Sequence, residues 1–148
     1  MKLELRLLNG FLLLLPLLAW NLALGPRLAL EAIISDAHSP KWLLMAENVS
    51  RILVFALPLL LPLDFKGDWN KAGLAVYGLG TLVYFASWLP LLLAPASAWS
   101  LSAAGLLAPR VTPFIPFVGI ALVCNAWPYG VISAVFTLFH TWHGIQNL

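Results

Sequence analysis

Charge is scarce in this 148-residue chain: Lys, Arg, Asp and Glu together make up 9% of it, against about a quarter in an ordinary soluble domain. After Lys71 the only formally charged residue is Arg110. With so few charges the chain cannot cover a water-facing surface in the usual way. A net charge of +2 provides no basic footprint, so nucleic acid is excluded as a partner. Cysteine is reduced to Cys124 alone, which rules out an intrachain disulfide and leaves the redox compartment unread. The chain has no Walker loop, no GxGxxG, no HExxH and no CxxC, and each absence removes a reaction class whose mechanism needs those residues. Three histidines are also too few for a histidine-rich di-iron site.

What is abundant is apolar. Hydrophobic residues make up 61% of the chain and the mean hydropathy is +0.92, values that exclude a disordered polar segment and identify an integral membrane protein. A membrane-spanning helix needs about 20 mostly apolar residues. Stretches of that kind lie at about 7–24, 42–63, 72–94, 111–126 and 128–145, separated by Gly, Pro and polar punctuation. The expected fold class is therefore an all-α integral membrane protein: a single domain over 1–148, built as a bundle of about five transmembrane helices.

Two segments interrupt this pattern. Residues 101–108 form a short apolar run, expected to lie at the interface or to re-enter the bilayer, because Pro109, Pro113 and Pro116 would break one long helix. The first loop, from Arg27 through Glu31 to Asp36, reads as a short amphipathic helix in the interface plane. Trp127-Pro128 leaves almost no loop between the last two spans, which predicts a tight antiparallel hairpin. Trp20, Trp42, Trp69, Trp99, Trp127 and Trp142 fall near predicted span ends, where an indole sits at headgroup level.

Lys2 and Arg6 precede the first apolar run in the manner of a signal peptide, but the run exceeds the usual 7–15 residues and is read as a retained helix. Short-loop basic residues set the orientation. Lys2, Arg6, Lys66 and Lys71 oppose Arg27 and Lys41, which puts the N-terminus in the cytoplasm of a plasma-membrane protein and the C-terminus outside.

Ionisable groups inside a span are rare and by default face the bundle interior. Glu47 and Arg51, four residues apart, share one face of the second span, as a carboxylate with its counter-ion or as an interfacial salt bridge. The last span carries a stripe of Ser133, Thr137, His140, Gly144 and Asn147, with His143 beside it. His140 and His143, at i and i+3, are weak metal candidates together with Glu47; a closed site would also need Glu31, Asp36 or His38. On the third span Gly73, Tyr77, Thr81, Tyr84 and Trp88 share a face, with Gly73 and Gly80 allowing close helix approach. An odd number of crossings between the second and last spans would bring Glu47, Arg51, Tyr84, Trp88, His140 and His143 into one leaflet as a candidate ligand site.

Glu47-x-x-x-Arg51, Phe136-x-x-x-His140 and His143-x-x-x-Asn147 resemble the motifs of the CAAX-type intramembrane proteases over about fifteen positions. The resemblance implies glutamate-dependent hydrolysis with Glu47, His140 and His143 as catalytic candidates. The chain departs from that family in its single glutamate at the first motif, in carrying the later two motifs on one helix, and in its short length, so no membership is assigned. The function expected first is non-enzymatic: a small multi-pass protein that binds a lipid or apolar small molecule, or serves as a homo-oligomer or membrane partner subunit. An intramembrane hydrolase, with or without a metal, is the alternative, and a small oligomeric transporter a further one. No cofactor is specified by the sequence.

Overall fold

A computed structural model describes residues 7–27 and 39–148. The amphipathic helix expected in the first loop, with Glu31, Asp36 and His38, lies outside the described residues. The described chain is helical: α1 (Phe11–Leu24), α2 (Lys41–Ala56), α3 (Asp68–Leu93), α4 (Ala103–Val111), α5 (Phe114–Val123) and α6 (Trp127–Gln146), with short 3-10 turns at Gly25–Arg27 and Leu57–Leu60. Three helical runs are long and apolar enough to cross a membrane: Lys41–Leu60, Asp68–Leu93 and Ala103–Val123. Phe11–Arg27 is apolar but shorter. α6 is 20 residues long and is not in that set.

Prolines shape these helices in two ways. Pro58 has no N–H to offer the carbonyl of Val54, one turn back; α2 gives way there to a 3-10 turn, and the Tyr129 hydroxyl of α6 donates to the Val54 carbonyl instead, at 3.2 Å. Pro113 and Pro116 fall at the N-cap and in the first turn of α5, where a missing N–H has no intrahelical acceptor to leave unsatisfied. This alters the reading of residues 101–126. In place of a separate interfacial segment before a span at 111–126, α4 and α5 are divided only by Thr112 and Pro113, and together they make one apolar run of 21 residues.

Small residues bring α3 and α5 together. A Cβ added at Gly119 would lie 2.5 Å from the Tyr77 backbone nitrogen, and one at Gly80 would lie 2.7 Å from that of Pro116. Backbone contact of this closeness is how helices associate when the surrounding solvent is as apolar as their side chains. Asn70 adds a polar clasp at one end. Its Nδ2 donates to the Leu122 and Val123 carbonyls at 3.1 and 2.9 Å, which are among the last carbonyls of α5 and have no intrahelical donor. The link from α5 to α6 is Cys124–Ala126, with Asn125 at φ 51° making the reversal.

The same end of the bundle gathers the N-terminal entry. The Gly10 N–H reaches the Leu61 carbonyl at 2.8 Å and the Asp64 N–H reaches that of Val123 at 3.3 Å. α1, α2, α3, the α4–α5 run and α6 thus pass back and forth along the bundle, and α6 finishes at the opposite end, beside the start of α2. There the Asn147 amide donates to Ser39 at 2.8 Å.

Candidate functional site

The half of the bundle away from Asn70 holds the ionisable residues Glu47, Arg51, Arg110, His140 and His143. α2 contributes Glu47 and Arg51 one turn apart, and α6 contributes His140 and His143 one turn apart. The antiparallel packing of the two helices sets these pairs face to face. Glu47 is 1% exposed. Its Oε1 accepts from Arg51 Nη2 and lies 2.8 Å from His140 Nδ1, while its Oε2 lies 2.6 Å from His143 Nδ1. One carboxylate therefore anchors three side chains on two helices.

The protonation pattern follows from donor and acceptor inventories. The Arg51 guanidinium is always charged, and a carboxylate ionised beside it can only accept hydrogen bonds. Both imidazoles must then present Nδ1–H to Glu47. In its neutral form each ring consequently carries its lone pair on Nε2.

A cavity of about 340 Å³ opens beside this cluster. Its polar wall is made by Arg51, Arg110, His140, Tyr84, Trp88 and Asn21, and its apolar wall by Leu17, Phe55, Leu106, Phe117 and Phe136. Phe55, Phe117 and Phe136 meet with centroids 6.3–6.4 Å apart. His140 stacks on Phe136 at 5.2 Å, which fixes the ring plane that its contact with Glu47 orients. Arg51 is 43% exposed at the side chain, so the buried carboxylate holds it at a partly open mouth. A second groove, near Trp69 and Trp127, has no charged residue in its lining.

The structure brings Glu47, Arg51, His140 and His143 into direct contact. Tyr84 and Trp88 line the same cavity without contact to Glu47: Tyr84 donates to Asn21 Oδ1 at 2.6 Å, and Trp88 packs edge-on to Tyr84 at 6.0 Å. Ser133 and Thr137, part of the polar stripe on α6, are turned into their own helix and donate to carbonyls one turn back, both at 2.8 Å. They are structural and do not face the cavity. Among the described residues no three His, Cys, Asp or Glu groups are arranged to hold a metal ion.

Two lining residues were not singled out from the sequence. Arg110, near the break between α4 and α5, reaches the His140 carbonyl at 3.3 Å and passes over Gly144, where an added Cβ would meet Arg110 Cδ at 2.6 Å. Its one signal was to be the only formal charge in the second half of the chain. Asn21 is a lone amide in an apolar helix, and it is positioned by its own donation to the Leu17 carbonyl at 2.9 Å. Trp20 stacks on Phe85 at 4.1 Å. Compared with protein-family models, with curated proteins and with solved structures, the chain matches none of them.

Proposed function

We propose that this chain is a five-pass integral membrane protein whose cavity binds an amphiphile with an anionic head. The membrane part of this reading is supported by the polarity of the bundle, which is inverted relative to a soluble protein. Glu47, Asn70, Ser133 and Thr137 are buried, whereas Leu22, Leu79, Leu82 and Leu138 are 65–82% exposed. The basic residues in the short loop at the Asn70 end support a cytoplasmic position for that end and for the N-terminus, in a cell-membrane protein. The cavity then opens in the outer leaflet.

The observation that carries the ligand class is the half-exposed Arg51 guanidinium set beside an aromatic and aliphatic wall in one cavity. A guanidinium has five N–H donors in a planar fork suited to phosphate and carboxylate oxygens. Contact with Glu47 occupies only one terminal nitrogen of Arg51. The apolar wall suits a hydrocarbon chain, as in most small-molecule sites, where a few polar groups fix orientation.

Titration of the purified protein in neutral detergent tests this. Lysophosphatidylmethanol, an anionic phosphodiester, is expected to bind about tenfold tighter than zwitterionic lysophosphatidylcholine, a difference on the order of one charge-assisted hydrogen bond. Arg51→Gln is expected to remove most of that preference. Equal binding of the two lipids, or equal binding of chain-free dimethyl phosphate, overturns the reading.

The seating of Glu47 between two imidazoles favours a second reading, an intramembrane hydrolase in which Glu47, His140 and His143 manage a proton at the cavity. Turnover of an ester or peptide substrate, lost in Glu47→Gln and His140→Ala, would establish it. Stoichiometric metal lost with either histidine would make that hydrolase metal-dependent. A partner-subunit or oligomeric transporter role rests on the same cluster and predicts a defined oligomer in detergent.

A further inference from the structure

From the hydrogen-bond polarity of the cavity wall, we infer that the amphiphile's anionic head also bears a hydroxyl group, which donates to His140 Nε2. This deepens the anionic-amphiphile reading and rests on it.

The argument starts behind the wall. Glu47 accepts from Arg51 and from both imidazoles, so Nδ1 of His140 is a donor turned away from the cavity and Nε2 is the remaining acceptor. Nε2 of His140 makes no hydrogen bond among the described residues, and the ring lines the cavity. The Tyr84 hydroxyl, on a residue that also lines the cavity, donates its proton to Asn21 Oδ1 at 2.6 Å.

The wall therefore carries two kinds of group. Arg51 is a pure donor and meets the anionic oxygens of a ligand. In the neutral ring His140 Nε2 is an acceptor, and an anion such as a simple phosphodiester has no proton to give it. Leaving a buried acceptor unpaired when a ligand enters costs its desolvation. A head that combines a phosphate or carboxylate with a hydroxyl, as in a glycerol ester of phosphate, satisfies both. Glu47 acts here as a positioning residue. It touches no ligand, but it fixes which nitrogen of His140 faces the cavity and what that nitrogen can accept.

Two measurements on the intact protein in neutral detergent test the inference. In the first, short-chain diacyl phosphatidylglycerol and diacyl phosphatidylmethanol, which share the phosphodiester and the acyl chains and differ in that only the former carries hydroxyl groups, are titrated side by side. The hydroxylated lipid is expected to bind up to about tenfold tighter, the range of one net hydrogen bond. In Glu47→Gln the amide must direct its NH2 at one of its neighbours, and that preference is expected to fall. In the second, 15N spectra of histidine-labelled wild-type protein are expected to show His140 with a protonated Nδ1 and an unprotonated Nε2, a readout that needs no variant to fold. Equal binding of the two lipids by the wild type overturns the hydroxyl inference while leaving the anionic site intact. Failure of both lipids to bind overturns the anionic site and the inference together. A protonated Nε2 on neutral His140 overturns the inference whatever the lipids do.

Discussion

Glu47 is the residue on which the site turns, because one carboxylate at 1% exposure accepts from a guanidinium and two imidazoles. Removing one partner of a buried charge cluster is far more damaging than never having built it, since the remaining groups are left desolvated and unpaired. Glu47→Ala is therefore expected to lower unfolding stability in detergent by roughly 3–5 kcal/mol, nearer the lower figure because Arg51 is 43% exposed and regains water. A loss under about 1 kcal/mol in equilibrium unfolding would mean that the cluster contributes no more than an exposed surface pair. At this scale much of the site was legible in the sequence. Glu47, Arg51, His140 and His143 stand out because ionisable groups in apolar runs are costly enough to be rare. Asn21 was not legible as a cavity residue, because an isolated amide in a helix carries no mark of what it faces.

Among the helices, the close pairing of α3 with α5 is set by glycines rather than by large side chains. Gly119 stands where an added Cβ would fall 2.5 Å from the Tyr77 backbone, whereas an added Cβ at Gly78 meets nothing within 4 Å. Gly119→Ala is expected to destabilise the protein or to shift α5 outward. Gly78→Ala, on the same helix as Tyr77, is expected to be neutral or to stabilise by up to about 1 kcal/mol through helix propensity. Thermal unfolding of the two variants side by side is the check, and equal effects would contradict the contact. Gly73 and Gly80 announced a close approach in the sequence, but not its partner. The α4–α5 run was less legible still. Pro109, Pro113 and Pro116 read as breakers in isolation, yet two of them sit at the start of α5, where proline is tolerated.

For the molecule as a whole, the back-and-forth path of the helices puts the start of α2 and the end of α6 at one end of the bundle, and the Asn9, Pro62 and Asn70 region at the other. Combined with the distribution of basic residues, the proposed topology places the C-terminus outside the cell. In a Cys124→Ala background, Leu148→Cys is expected to react with a membrane-impermeant maleimide in intact cells, while Lys71→Cys is expected to react only after permeabilisation. The reverse pattern would invert the topology and move the cavity to the cytoplasmic leaflet.

The sequence by itself determined the apolar, helical character of this protein and a short list of polar residues. Both follow from composition and local spacing: charge too sparse to cover a surface, and 3.6-residue periodicity that puts Glu47 with Arg51 and His140 with His143 on shared helix faces. Only the tertiary structure decided that these two faces meet, that Arg110 arches over Gly144 to His140, and that Tyr84 and Asn21 join the lining of the same cavity. Those contacts join residues 30 to 96 positions apart. They depend on the number of bilayer-length passes between them and on which glycines let helices touch, quantities that no local window of sequence contains.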